Sequence, residues 1–534
     1  MTTNLLTLAR RGDSAPGCGL VFLVHAPFGT DPVLATYPDG ASVTLTDHPL
    51  VVNLRKVADC GAAVLALVDR PDEPTCLLAI APHQGGAVQI TPLGKLDMSA
   101  PETLAYLIRQ GRERHPDLSL VLSLEGHGAG YLPELDASQI TFDNATADGV
   151  RWELADGLFV PRRPDGSSVV VDGSPILPVV FPTSANDHPV LSTWAIGAGL
   201  AAAAGNQHCD RIAVIHFNNC FNMSAELLHT VAAHAEFAVG YCNYNFFTAG
   251  EAYPRVFQLL QAAGEAPAEQ VARWFAETNR DFLAAKGNHP TVGGVIALSR
   301  MHEITERLDD LADALLAALR TSPNREDEVA KIKKAIFAAQ QYDTQAGYVL
   351  EAPDQLTDLC SFAARLQEHD FGPYGVKAAA AALQGALKGI RAYGATDAPW
   401  VDTSVQWDFS EETLAMNILL PDPLLEGVWD WRSPYYLDVN PDPNKPLVQP
   451  HIIDFLKVTD WVDFIIEYHK GVPFKGLLPP AIPPFPVFNA RFDPKGAGCG
   501  CDGGKPNGGR TYGRAAQAAT AAVVAGTSPR QAVP

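Results

Sequence analysis

Two side chains in this 534-residue sequence stand where chemistry could be done, an imidazole at His127 and a thiol at Cys220. Each follows an apolar run of strand length, Ser119-Leu120-Val121-Leu122-Ser123-Leu124 before the first and Ile212-Ala213-Val214-Ile215-His216-Phe217 before the second. Adjacent in a parallel sheet, two such strands would deliver both groups to one edge. A free thiol is mostly protonated at neutral pH, so a nucleophilic cysteine needs a base or an electropositive site, and a positioned histidine supplies one. Gly128 adds a third part, because a glycine beside the histidine lets a backbone N–H approach a developing oxyanion. On the strands alone, a buried core thiol and a satisfied turn histidine are the favoured reading, since cysteine is among the most buried residue types.

What would position these groups is an alternation of short apolar runs with helical patterns through the first half of the chain. That alternation marks an α/β fold with a mainly parallel sheet covered on both faces. The expected strands are Leu20 to His25, Ala63 to Val68, Leu118 to Leu124, Ile212 to Phe217 and Phe237 to Gly240. Helices are expected over Pro101 to Gly111, Leu191 to Ala204 and Ser224 to Ala235. Gly126-His127-Gly128 and Asn218-Asn219-Cys220 then fall just past the carboxyl ends of strands, the edge where open α/β sheets gather their ligands. The polar stretch 131–189 is too long for an ordinary connection and reads as an insertion, lid or processing segment. From about Arg300 the pattern becomes amphipathic, with Ile304, Leu308, Leu311, Leu315 and Leu319 at helical spacing until Thr321-Ser322-Pro323 stops it. The expected organisation is a core over 1–300, a helical region over 301–398, a smaller, strand-like and Trp-rich α/β part over 399–480, and a Pro-, Gly- and Ala-rich tail over 481–534 read as disordered.

Composition narrows the function. With 39 basic and 60 acidic residues the formal charge is -21, which repels a phosphate backbone, so nucleic-acid binding is not expected. No apolar run approaches the roughly 18 to 20 residues that span a bilayer. The first residues lack the apolar core and cleavage site of a secretory signal, so a cytoplasmic location is expected. Nine scattered cysteines read as reduced thiols, and Cys499-Gly500-Cys501 has no second ligand pair to make a zinc site. Gly197-Ala198-Gly199 imitates a dinucleotide fingerprint without the strand that should lead into it, and is assigned to close helix packing. His302-Glu303 lacks the second histidine of a zinc protease. His216 and Cys242 are read as core, His229 and His234 as surface or packing residues, and the cluster Trp429, Trp431, Tyr435 and Tyr436 as core rather than a peptide platform.

The ordered motifs carry a family resemblance. Leu96-Asp97-Met98-Ser99-Ala100-Pro101-Glu102-Thr103-Leu104, His115-Pro116, Glu125-Gly126-His127-Gly128-Ala129-Gly130 and Asn218-Asn219-Cys220-Phe221-Asn222-Met223-Ser224-Ala225-Glu226 occur in the order seen in the clostripain-like cysteine peptidases of the caspase and legumain-like group. Ala297-Leu298-Ser299, Leu308-Asp309-Asp310-Leu311-Ala312, Thr357-Asp358-Leu359-Cys360-Ser361-Phe362 and Trp461-Val462-Asp463-Phe464 resemble later landmarks of that family. The resemblance implies a caspase-like α/β/α core and a cysteine endopeptidase acting on proteins or peptides. It makes Cys220 the nucleophile, His127 the acid and base, and the Gly128 and Cys220 amides the oxyanion hole.

Three departures accompany it. Asn218 stands where the family usually has an aspartate that helps receive Lys or Arg in the substrate-binding pocket. A basic preference should then be weak unless another acid, such as Glu251 or Asp187, compensates. The 93-residue separation of His127 and Cys220 exceeds the family pattern. The insertion accounts for that excess and offers Arg151, Arg162 and Arg163 as processing sites, although Pro164 disfavours cleavage after Arg163. The secretory signal of well-known members is also missing. Calcium accompanies some relatives, but no EF-hand loop is visible, so no cofactor is assigned and calcium is left open. The rival reading is a catalytically silent caspase-like scaffold that binds a protein partner; a peptidase held inactive until cleavage or a partner releases it unites the two.

Overall fold

Unbroken apolar runs suit strands buried on both faces, and in the computed structural model they form the middle of a nine-stranded sheet. The structure describes residues 5–11, 19–29, 32–38, 40–128, 130–131, short strands between 141 and 180, 191–204, 211–245, 247–287, 291–342, 356–394, 398–399, 406–407, 409, 411–420, 453–468 and 470. In chain order the strands around the site are β1 (Leu20–Pro27), β2 (Ala63–Asp69), β3 (Cys76–Ile80), β4 (Val88–Pro92), β5 (Ser119–Glu125), β6 (Ile212–Asn218), β7 (Ala235–Tyr241), β8 (Val292–Ala297), β9 (Leu356–Asp358), β10 (Arg391–Gly394) and β11 (Asn417–Leu419). The sheet order is β10-β8-β7-β6-β5-β1-β2-β3-β4. The central neighbours from β7 to β2 pair in parallel, whereas β8 and β10 on one flank and β3 and β4 on the other join antiparallel. β9 and β11 form a separate antiparallel pair.

The helices are α1 (Pro49–Asp59), α2 (Pro101–Arg114), α3 (Thr193–Ala204), α4 (Ala225–Val231), α5 (Tyr253–Ala263), α6 (Ala268–Gly287), α7 (Met301–Thr321), α8 (Arg325–Ala338), α9 (Leu359–Leu366), α10 (Val376–Leu387) and α11 (Trp461–Tyr468). Alternate residues of a strand face opposite sides. Phe22 of β1 therefore meets Tyr253 and Phe257 of α5 and Phe275 of α6, with ring centroids 5.0, 5.0 and 6.0 Å away. Its neighbour Leu23 packs on the other face beneath α2, where a Cβ on Gly111 would fall 2.9 Å from it. The glycines of the false fingerprint have a similar role: a Cβ on Gly197 would lie 2.5 Å from Thr230, and one on Gly199 2.9 Å from the Pro101 carbonyl, so α3 can approach both α4 and α2. The stripe of α7 is buried throughout, and the helix ends at Thr321 as its sequence predicts.

One expectation changes. The end of the strand-like stretch is helical, because Trp461, Phe464, Ile465 and Tyr468 recur at helical spacing and α11 buries them as one face. The insertion holds regular structure, with a four-stranded antiparallel sheet in which Val150–Ala155 pairs with Leu158–Arg162. The sheet also draws β10 from within 301–398. The 481–534 tail, Arg163, Asp187, the Trp429 to Tyr436 cluster, Cys499 and Cys501 lie outside the described residues. Among the described residues no helix is long and apolar enough to cross a membrane.

Candidate active site

β5 and β6 are neighbours in parallel register, with Asn218 opposite Glu125. His127 and Cys220 therefore lie two residues beyond the same rung, at the carboxyl edge of the sheet. Gly126 leaves β5 with φ +90°, a conformation that glycine adopts without the clash of a side chain. Gly128 then passes so close to the nucleophile loop that a Cβ there would stand 2.2 Å from the Cys220 carbonyl oxygen. The Gly130 N–H donates to Asn222 Oδ1 at 3.1 Å, and Asn222 Nδ2 donates to Asn219 Oδ1 at 2.8 Å. These contacts join the His-Gly loop to the Cys loop. His127 is partly exposed in a small cleft lined also by His25, Leu124, Glu125, Leu191, Asn219 and Asn222.

Cys220 is 2% exposed, and its Sγ–H donates to the Asn245 carbonyl at 3.4 Å. The residue after it, Phe221, has φ +61°. A bulky side chain in that left-handed region costs on the order of 1 to 3 kcal/mol and persists only where surrounding contacts fix it. Three do so here. The Phe221 N–H donates to Asn243 O at 2.9 Å, its ring packs on Tyr244 at 4.7 Å, and its carbonyl accepts Asn417 Nδ2 at 2.7 Å. Ser224 then caps α4 by accepting the Leu227 N–H at 3.2 Å.

Below the two loops lies a buried polar cluster. Glu125 accepts hydrogen bonds from Asn218 Nδ2 at 3.0 and 3.1 Å, from Ser123 Oγ at 3.3 Å and from the Tyr253 hydroxyl. Asn279 donates to Asn245 at 2.7 Å and Asn245 to Asn218 at 3.0 Å, so a chain of side-chain amides runs from α6 to the carboxylate. Burial raises the Glu125 pKa to about 7, against the opposing effect of its donors. Among the described residues no Lys, Arg or His forms an ion pair with it.

Sequence reasoning quoted Glu125 only as part of the His-Gly motif and missed this role. The available signal was positional: Glu125 precedes His127 by two residues just as Asn218 precedes Cys220. Of the acids named as substitutes, Glu251 is partly exposed in the turn before α5 and has no bond to Asn218 among the contacts above, while Asp187 is outside the described residues. Arg151 and Arg162 sit directly opposite each other on paired strands. Cleavage after either would first require that pairing to open.

The core assignments stand. His216 is 1% exposed, stacks on Phe275 at 4.7 Å, and is held neutral by burial, its pKa lowered to about 3. Cys242 is buried, with its pKa raised by desolvation, and donates to Ala415 O at 3.5 Å. His229 pairs with Thr305 at 2.9 Å, and His302 forms a surface pair with Glu306. His25, which the sequence did not single out, is a second buried histidine on the cleft, its pKa lowered to about 4 by desolvation. Among the described residues no three His, Cys, Asp or Glu side chains converge as metal ligands.

A model described as the clostripain family matches residues 199–465, a span that contains Cys220 and begins after His127. No curated protein matches the sequence. Among solved structures, the chain is similar to a secreted C11 cysteine protease from Bacteroides thetaiotaomicron in complex with an irreversible peptide inhibitor, at 13% identity and TM-score 0.47, covering 83% of this chain and 99% of that one. It is also similar to an inactive zymogen C11 protease from Parabacteroides distasonis, at 14% identity and TM-score 0.44, covering 75% of this chain and 92% of that one.

Proposed function

The chain belongs to the clostripain family of cysteine endopeptidases, and we propose that Cys220 is its nucleophile and His127 its general acid and base. The observation that carries this assignment is the shared rung of β5 and β6, which brings the two residues to one edge of the sheet. His127 takes the thiol proton and the Cys220 sulfur attacks the scissile carbonyl. His127 then gives that proton to the leaving amine as the C–N bond breaks. Water, deprotonated by the same imidazole, hydrolyses the thioester and restores the thiol. The Gly128 and Cys220 amide N–H groups would receive the oxyanion, a role supported by how closely Gly128 adjoins the Cys220 peptide.

The pocket beside the nucleophile is read as acidic in spite of Asn218. A buried carboxylate is expected to have a cationic partner, and among the described residues Glu125 has only neutral donors. The cation would then be a substrate Lys or Arg, reaching the Glu125–Asn218 pair. Latency is the other part of the reading. A nucleophile that is 2% exposed, with its Sγ–H donating to Asn245 O, favours an enzyme opened by cleavage or by a partner over a constitutively open one.

The test is labelling with a thiol-reactive peptide probe, combined with peptide cleavage by wild type, Cys220→Ala and His127→Ala. Wild type in its opened form should be labelled at Cys220, and each variant should lose at least three orders of magnitude in kcat/KM while melting within a few degrees of wild type. Full cleavage by Cys220→Ala would overturn the assignment. An unlabelled, inactive wild type that still captures a protein partner would favour the scaffold.

A further inference from the structure

β11 belongs to a part of the chain far beyond the nucleophile, yet its first residue lies against the nucleophile loop. Asn417 Nδ2 donates to the Phe221 carbonyl, 196 positions earlier, and to the Cys242 carbonyl, each at 2.7 Å. Its backbone N–H donates to Met223 O at 2.9 Å. Its Oδ1 would be 3.4 Å from a Cβ on Gly130, so it also borders the His-Gly loop. Asn417 and Phe221 are 0% exposed and Cys242 is 1% exposed, so water does not substitute for these bonds.

The residue type matters as well as the position. Two carbonyls converge on one nitrogen, and of the uncharged side chains this short only asparagine presents two N–H donors from a single planar group. A hydroxyl could satisfy one carbonyl, and a carboxylate would confront both with an acceptor. The support behind the amide is fixed. β11 pairs with β9, the Ala415 N–H donates to Asp358 at 2.9 Å, and the Leu419 N–H donates to Glu226 at 3.0 Å. A precise site needs its holding residues on such rigid elements.

We infer that Asn417 is a positioning residue for Cys220: its amide holds the Phe221 peptide in the left-handed conformation that aims the Cys220 thiol and the Cys220 N–H. This inference rests on the reading of Cys220 as nucleophile. It makes β11 part of the catalytic apparatus, acting through the Phe221 peptide rather than on substrate. Without the amide, Phe221 relaxes to an ordinary backbone conformation and Cys220 turns with it.

The experiment uses the full chain carrying Asn417→Asp or Asn417→Ser. It measures kcat and KM per titrated active site, together with the rate at which iodoacetamide alkylates Cys220. Asn417→Asp should lower kcat ten- to a hundredfold with less than a threefold change in KM, and should change the alkylation rate at least fivefold. Asn417→Ser, which keeps one donor, should fall between it and wild type, and it decides the matter alone if Asn417→Asp fails to fold. Wild-type kcat per site and wild-type alkylation in a folded variant, with only the melting temperature lowered, would reduce Asn417 to a strand anchor and overturn the proposal. A wild type that cleaves no peptide, but whose Cys220 alkylation still responds to Asn417 substitution, would sink the peptidase reading and leave the positioning role standing.

Discussion

Glu125 and Asp358 are both buried carboxyl groups with pKa values raised by that burial, yet they belong to different parts of the molecule's design. Asp358, at the start of α9, accepts the backbone N–H groups of Ser361 and Ala415 at 2.8 and 2.9 Å and the Tyr342 hydroxyl at 2.9 Å. Glu125, at the end of β5, is held by side chains alone. Burial raises both pKa values to about 7. The difference lies in what each acid satisfies. A helix start has N–H groups that must find acceptors, so Asp358 answers a need of the backbone itself. The amides and hydroxyls around Glu125 exist only because the sequence encodes them, and the backbone would fold through β5 and β6 without them. On the reading proposed above, an acid whose donors are all optional serves the cleft above it.

The largest effect that could break this comparison concerns stability. Asp358→Ala removes a cap and leaves buried N–H groups without an acceptor, and it should cost about 2 to 5 kcal/mol. Glu125→Gln should cost roughly 1 kcal/mol, because the amide oxygen still accepts. Denaturant titration of both variants would show it, and equal losses would end the distinction.

Next in size is selectivity. A charge-assisted bond is worth roughly 1.5 to 3 kcal/mol, so Glu125→Gln should lower the ratio of Arg to neutral cleavage about ten- to a hundredfold in a fluorogenic library. Adding Asn218→Asp should restore it by moving the charge one strand across. A ratio unmoved in both would place the pocket elsewhere.

The comparison can also be sharpened by pH. Glu125 has its folded pKa raised from 4.5 to about 7, so its stabilising contribution is complete below about 4.5 and is lost as pH rises through about 7. The melting temperature of wild type relative to Glu125→Gln should therefore drift downward across that window. Asp358 has the same sign, and subtracting the variant removes it. Smallest of all, His216→Phe keeps the stack on Phe275 and should cost about 1 kcal/mol through the lost Ser123 and Tyr241 contacts, with cleavage within a fewfold of wild type.

The central strands were legible because β1, β2 and β6 bury every residue, and a doubly covered strand in an α/β chain reads as a nearly unbroken apolar run. The place of His127, Gly128 and Cys220 at the carboxyl edge was legible for the same reason, since the strand ends announce it. Antiparallel flanks were harder. β4 is short and largely exposed, and β10 lies among helices, so neither has a pattern that separates it from a loop. Trp461 to Tyr468 was misread because aromatic content outweighed its helical period. Glu125 was passed over because an acid at a strand end usually meets water, and only the register with Asn218 shows that this one does not. Asn417 had no local signal, for its meaning depends on carbonyls nearly two hundred residues away.

The rung that joins β5 to β6 also decides what a cut chain would be. Any break within the insertion leaves the histidine on an amino-terminal polypeptide and the cysteine on a carboxyl-terminal one. The two pieces would still share a parallel ladder from Val121–Val214 to Glu125–Asn218 in the middle of a single sheet. Maturation would thus yield one particle made of two polypeptides, inseparable on a sizing column and resolved only in denaturant. Neither half would hold a complete catalytic pair, and a solution of either alone would gain activity only by recruiting the other as its missing strand.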